Sequence, residues 1–260
     1  MSQPVPFFAP IPAREGAEWV QLSWQIFRAH WPRYIGLTSL YLLLMQMCAA
    51  IVGPLCMLLN PILSVGFLAA AWHHERGELP EVKHLFAGFK SNLRALLPLG
   101  GVHLVGLLFA LTVGLLASGL TLDQLKGFEE QGNVPPEALM RVMLVTLAIS
   151  LPLTAALWFS PALIVFSDAS FTQAIGASVR ASLANWLSMS VYGIAMFGLT
   201  VLAVVLVSPL LYLLPAKMVL TTVMLLVVPL TAIRMISDYV CYRRIFHREE
   251  RVEKVNGASA

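Results

Sequence analysis

Between Arg33 and Glu75 the chain carries no Asp, Glu, Lys or Arg. Comparable charge-free stretches lie between Arg94 and Asp123, Arg141 and Asp168, and Arg180 and Lys217. A bilayer core of about 30 Å is crossed by about 20 apolar helical residues, so each stretch is long enough to span. The first and last have room for two crossings, or for one crossing and a turn. Such a chain is a polytopic membrane protein. Its solvent then dictates its secondary structure, because a backbone in lipid must satisfy its own polar groups, which a helix does.

Composition sharpens this. Of 260 residues, 58% are hydrophobic and 12% charged, against about 25% charged in a soluble domain. The expectation is one integral membrane domain over 1–260, with no room for a separate soluble catalytic domain. Cys48, Cys56 and Cys241 fall in or beside apolar spans without a CxxC pattern. They read as small buried hydrophobes, not as a disulfide framework or a metal site.

Helix breakers divide the stretches. Gly53-Pro54 splits the first into crossings at about 34–52 and 55–73. A third occupies about 95–119, where Gly106, Ala110, Gly114 and Ser118 form a small-residue seam that lets another helix approach closely. The polar loop from Leu120 to Pro136 separates it from a fourth at about 138–166. A fifth, about 186–208, is expected to end at Ser208-Pro209 and Leu214-Pro215, and a sixth runs from Lys217 to about Arg243. The expected fold class is all-α: a bundle of six transmembrane helices over 34–243, with a Pro-rich tail over 1–16 and a charged tail over 244–260.

Placing both termini in the cytoplasm puts fourteen of the seventeen basic residues inside, leaving Lys126, Arg141 and Lys217 outside. That asymmetry satisfies the positive-inside bias. Trp19, Trp24, Trp31, Trp72 and Trp186 then fall near the cytoplasmic interface, where amphipathic rings anchor. No cleavable signal peptide is visible, since the chain opens on a Pro-rich stretch. Over 17–33, Trp19, Leu22, Ile26, Phe27 and Trp31 recur at helical spacing opposite Glu18, Gln25 and Arg28. This is an amphipathic helix that either lies on the cytoplasmic leaflet or packs under the bundle.

Related lead-in segments recur. Phe27-Arg28 with Trp31 and Tyr34 aligns with Phe89-Lys90, Leu93 and Leu96, and with Val179-Arg180, Leu183 and Trp186. Each precedes an odd-numbered crossing, and each even-numbered crossing contains a proline: Pro61, Pro161 and Pro229. The chain reads as three units of lead-in helix, crossing and return crossing. Three units of one sense differ from the inverted pair of alternating-access transporters.

The stretch VFSDASFTQAIGASVRASLANWLSMSVYGI (165–194) places an acidic residue after a crossing, then an Ala-Ile-x-x-Ser segment, then Asn-Trp opening the next crossing. It resembles the cytoplasmic connector of six-helix bacterial proteins of the YciC type, and of the membrane domain attached to some glycerophosphodiester phosphodiesterases. PAREGAEWVQLSWQIFRAHWPRYIG, with RGELPEVKHLFAGFK at 76–90, is similar to an uncharacterised proteobacterial family of integral membrane proteins. The resemblance implies an inner-membrane location and carries over no catalytic residue. The phosphodiesterase barrel has no counterpart in this sequence, so that activity does not carry over either.

Polar residues inside the spans are the remaining candidates for chemistry, since a charge in lipid is costly and faces a partner or a cavity. Arg234 and Asp238 lie one helical turn apart, a spacing that allows an ion pair, and Asp168 at the end of the fourth crossing could join them. Together they are candidates for an anionic ligand or a lipid headgroup. The bland alternative is a structural pair with Arg234 reaching the interface. Gln46, Asn60 and His103 read as too few and too scattered for a pathway. His73, His74, Glu75 and His84 invite a metal reading, but adjacent histidines diverge around a helix and no second pair stands at ligand spacing. No phosphate loop, GxSxG elbow or HExxH is present. The expectation is therefore no enzyme, no cofactor and no nucleic-acid partner. The favoured function is a membrane scaffold or accessory protein that binds lipid or a protein partner at its cytoplasmic face. The alternative is a transporter or lipid-handling protein with a polar cavity near the fourth and sixth crossings.

Overall fold

The computed structural model describes residues 8–120 and 135–247, and every regular element among them is helical. Helices α1 (Glu15–Ala29) and α2 (Trp31–Val52) are followed by a 3₁₀ turn, Gly53–Leu58, and by α3 (Asn60–Glu75). A second 3₁₀ segment, Val82–Lys90, leads into α4 (Leu93–Ser118). Beyond the polar loop come α5 (Pro136–Leu157), α6 (Ser160–Ser167), α7 (Phe171–Ala184), α8 (Trp186–Leu213) and α9 (Ala216–Phe246). Most of that loop, with Lys126, and the tail beyond His247 lie outside the described residues.

Five helical segments are long and apolar enough to cross a membrane: Trp31–Leu58, Leu93–Ser118, Pro136–Ser167, Trp186–Leu213 and Met218–Phe246. The expected second crossing is represented by α3, which at 16 residues falls short of that length. Its start is set by Pro61 in the first turn, a position where the missing N–H costs nothing. Gly53, with φ at 57°, turns the chain off the end of α2 and so shortens what α3 must cover. α3 runs antiparallel to α2. Tyr41 Oη donates to Asn60 Oδ1 at 2.9 Å near its start, and the His30 and His74 rings meet at 5.2 Å near its end. Ile62, Leu63, Val65, Phe67, Leu68, Ala70 and Ala71 are all buried, which makes α3 the helix at the heart of the bundle.

The small-residue seam works as expected. A Cβ on Gly114 would stand 2.5 Å from Thr146 Oγ1, one on Gly106 would stand 2.7 Å from a Leu153 methyl, and Thr146 Oγ1 donates to the Ala110 carbonyl at 3.4 Å. α4 and α5 thus form a close antiparallel hairpin whose backbones approach because the seam lacks side chains. In contrast, α8 does not stop at Ser208-Pro209 but continues to Leu213. Pro209 cannot bond to the Val205 carbonyl, and the Ser208 hydroxyl donates to that oxygen instead, at 3.1 Å. In lipid such local repair is what permits a proline inside a helix. Most of α8 is unpacked, with Ile194 and Phe197 more than 70% exposed, the surface expected of a lipid-facing helix.

The three lead-in segments share one arrangement. Each runs lengthwise and antiparallel along a return segment. α1 lies on α9, from Arg244–Glu15 (3.6 Å) to Ser237–Ser23 (2.9 Å). The second 3₁₀ segment lies on α3, from the stacked pair His73–His84 (4.4 Å) to Gly88 against Ile62. α7 lies on the α5–α6 junction, where Ser178 Oγ accepts from the Phe159 N–H at 3.1 Å and Ser178 and Ser182 hydroxyls donate to the Ala155 carbonyl at 2.7 and 3.3 Å. Of the two expectations for 17–33, packing against the bundle is the one found: Trp19 is fully buried against Tyr192, with ring centroids 5.8 Å apart. Trp19 is therefore core, whereas Trp24, Trp31 and Trp186 are exposed. The Pro-rich segment is also fastened. Ala9 N–H donates to Ile245 O at 3.1 Å, Ile11 N–H to Asn185 Oδ1 at 2.8 Å, and Ser188 Oγ to Ile11 O at 3.1 Å.

Candidate functional site

The prolines of α3 and α6 mark two helix starts deep in the bundle. α3 begins at Asn60-Pro61, and the α5 helix breaks at Trp158-Phe159 before α6 restarts at Ser160-Pro161. Neither start has a side-chain cap. Both face one cavity of about 400 Å³, whose lining includes Asn60, Pro61, Ser64, His103, Ser150, Thr154, Trp158, Pro161, Arg234 and Asp238. Residues that the sequence scatters over α3, α4, α5 and α9 converge here. Asn60 and His103, dismissed from sequence as isolated, sit in the same wall system as Arg234 and Asp238. Sequence separation hides this, because only helix packing decides which polar residues meet.

Depth follows from helix geometry. Arg243 Nε reaches Glu75 Oε2 at 3.3 Å at the end of α3. Arg234 lies nine residues earlier on α9, about 13 Å further into the bundle at 1.5 Å per residue. Arg234 Nη1 and Asp238 Oδ2 are 3.9 Å apart, which is longer than the 2.7–2.9 Å of a charge-assisted hydrogen bond. The pair expected from the i, i+4 spacing exists, but loosely. Although deep, the Arg234 side chain is 51% exposed, because it projects into the cavity, whereas Asp238 is 21% exposed. Among the described residues the guanidinium also meets the Met235 sulfur, with Nη2 at 3.1 Å.

The remaining polar lining divides into spent and unspent groups. Ser64 Oγ donates to the Pro61 carbonyl at 2.9 Å and Thr154 Oγ1 to the Ser150 carbonyl at 2.8 Å, so both hydroxyl protons are used on the backbone. Asn60 Oδ1 accepts from Tyr41, which leaves its Nδ2 amide without an acceptor among the described residues. His103 also has no hydrogen-bond partner among them, and the Trp158 indole N–H has none. Arg234, the Asn60 amide, His103 and the Ser150 hydroxyl thus line a cavity whose one carboxylate stands off at 3.9 Å, while the Trp158 N–H is buried behind its surface.

Asp168, the third expected site residue, is elsewhere. It caps α6 in the left-handed conformation (φ 48°), is exposed, and does not line the cavity. The histidine group beside Glu75 is built from stacking and capping. Glu81 N–H donates to His84 Nδ1 at 3.1 Å, and His84 stacks on His73, which pairs with Glu78. Burial, then the neighbouring His73 and Lys83, push the His84 pKa below its ordinary value. The hydrogen bond from Lys83 chiefly holds the Glu81 carboxyl low. No trio of His, Cys, Asp or Glu placed to hold a metal occurs among the described residues.

A second cavity of about 440 Å³ lies at the Glu75 end, with Trp72, Glu75, Arg76, Phe166, Tyr239 and Arg243 in its wall. It is a structural cluster. The Arg76 guanidinium sits 3.5 Å above the Trp72 ring, and Tyr239 Oη donates to Glu75 Oε2 at 2.7 Å.

No family model matches the chain, and no solved structure matches it. The chain is similar to a protein of Burkholderia thailandensis named "Probable inner membrane protein", at 29% identity over 203 residues, covering 73% of this chain and 74% of that protein.

Proposed function

We propose that this is a multi-pass inner-membrane protein that binds a small ligand or lipid in the polar cavity between α3, α4, α5 and α9, and so acts in transport or lipid handling. The observation that carries the reading is the convergence of Asn60, His103, Arg234 and Asp238 on one cavity. Polar groups at that depth are costly unless a partner or a cavity uses them, and a cavity of 300–1,000 Å³ with a few convergent polar groups is the usual form of a binding site. Binding suits the site better than chemistry, because the Ser64 and Thr154 hydroxyls are committed to backbone carbonyls.

The inner-membrane placement is supported by the Burkholderia relative and by the five long apolar helices. Six crossings with both termini in the cytoplasm are supported by the ends that meet: residues 9–15 contact Asn185, Arg244 and Ile245. The packing of each lead-in segment along a return helix supports three repeated units, and with them the likeness to six-helix YciC-type proteins. A scaffold role at the cytoplasmic face keeps one support, the exposed Trp24, Trp31 and Trp186, each within six residues in sequence of an exposed Arg28, Arg33 or Arg180.

Gentle purification followed by native mass spectrometry separates the two readings. A stoichiometric small ligand on the wild-type chain, lost from Arg234→Gln, is the expected result. A stoichiometric protein partner without any small ligand would favour the scaffold and overturn the cavity reading.

A further inference from the structure

The geometry points to an anion as the group this cavity receives: the phosphate or carboxylate head of a ligand seated on Arg234, with Asp238 as the internal carboxylate that it displaces. The inference rests on the cavity being a ligand site, and adds the charge of what binds there.

Donor accounting leads to this assignment. Arg234 offers five N–H donors in a planar fork suited to bidentate recognition of carboxylate or phosphate. Its carboxylate neighbour stands at 3.9 Å and cannot use that fork fully. Asn60 Nδ2 and His103 are unspent donors in the same wall, and the Trp158 N–H has no acceptor. A donor without an acceptor is costly in a bundle interior, and Asn60, His103 and Arg234 bring such donors, half-buried or open to the cavity, to one space. The uncapped starts of α3 and α6 flank that space as well, each contributing the partial positive charge of a helix N-terminus. A cation would find one carboxylate among these donors. An anion can accept from those that open on the cavity, on Arg234, Asn60 and His103.

Asp238 then has a defined part. It sits on the same face of α9 as Arg234 and keeps the guanidinium from being an isolated charge in the bundle. As a loosely held partner it also competes with an incoming anion. Removing its charge should therefore strengthen anion binding, which a purely structural ion pair does not predict. One side of the cavity is apolar. α9 packs on α1, α2 and α3 but not closely on α4 or α5, and the hairpin side of the cavity is lined by Leu99, Leu107, Leu153 and Leu157. An acyl chain fits that side as well as open space does, so a lipid headgroup and a free anion share the same recognition chemistry.

The test uses the full-length chain purified in a neutral maltoside detergent, titrated with phosphatidylglycerol, with diacylglycerol of the same tails, and with glycerol 3-phosphate. Occupancy is read by native mass spectrometry, and thermal stability serves as the folding control. Saturable binding of phosphatidylglycerol over diacylglycerol is expected. Arg234→Gln should weaken it by about 30-fold or more, the effect of truncating one partner of a buried charge contact. Asp238→Asn should tighten it by up to about tenfold, within the usual range for a lost like-charge neighbour. If Arg234→Gln does not fold, His103→Phe removes one donor without touching the ion pair and should still weaken the anion. Equal binding of glycerol 3-phosphate supports the assignment with a free anion as the source. Equal binding of diacylglycerol, indifferent to Arg234→Gln, overturns the anion while leaving a ligand cavity. Weaker anion binding by folded Asp238→Asn overturns the role of Asp238. No binding of any probe to wild type or Asp238→Asn removes both this inference and the cavity reading.

Discussion

At the scale of single residues, glycine positions decide how closely the lead-in segments approach. A Cβ on Gly88 would lie 2.0 Å from the Ile62 carbonyl oxygen, and one on Gly66 2.4 Å from the Leu85 Cα. Both obstacles are backbone and cannot rotate away. Gly88→Ala is therefore expected to cost about 1–3 kcal/mol, the usual penalty for overpacking, read as a lowered thermal midpoint in detergent. Gly101→Ala is the control, because nothing lies within 4 Å of its added Cβ, and it should be neutral or stabilising by up to about 1 kcal/mol in a helix. Equal losses from the two variants would sink this account. The seam of Gly106, Ala110 and Gly114 could be read from sequence because its spacing alone implies a face. Gly66 and Gly88 could not, since their need for closeness comes from a partner far along the chain.

At the scale of elements, the second 3₁₀ segment depends on the charge state of one histidine. His84 Nδ1 accepts the Glu81 N–H that closes the capping box, so this nitrogen must be unprotonated. Its folded pKa lies below the ordinary value, through burial first and then through His73 and Lys83, with Glu81 and Glu78 opposing. The unfolded state therefore binds a proton more readily. The stabilisation is complete above the ordinary histidine pKa of about 6.5 and is lost as pH falls from there through the lower folded value. The Glu81 carboxyl, also held low, stays ionised throughout that window. A fall in thermal midpoint between pH 7.5 and 5.5 is expected, and His84→Gln should reduce that slope. An unchanged slope in the variant would place the titration elsewhere. Sequence periodicity found the lead-in segments but left their setting open: Trp19 and Phe27 give α1 an apolar stripe whether it meets lipid or protein, and amphipathicity does not distinguish the two.

At the scale of the whole molecule, the number of crossings is a question of parity. Five segments satisfy the length needed to span, and five crossings would leave the two ends of the chain on opposite sides. Yet the N-terminal segment meets the end of α9, through Ala9 with Ile245, Glu15 with Arg244, and the ring contact of Phe8 with Phe246. The same end collects Glu75 with Arg243 and the Ser167 hydroxyl beside Tyr242. An even number would reconcile these contacts, and in the six-crossing arrangement we propose α3 supplies the further crossing. It can be short because its apolar residues are buried among other helices. Gly53-Pro54 and the charge-free stretch already announced that hairpin in the sequence, whereas the depth at which α3 begins required the Tyr41–Asn60 contact to locate. In that proposed arrangement the positive-inside bias favours the cytoplasm for the shared end. Single cysteines introduced at Arg76 and Asp168, in a chain whose Cys48, Cys56 and Cys241 are replaced by Ala or Ser, are expected to be blocked only by a reagent that crosses the inner membrane. A cysteine at Gly119, at the far end of α4, should be blocked by an impermeant maleimide added from outside. Labelling of the Arg76 position from outside would mean that α3 does not complete its crossing, and the count would fall to five.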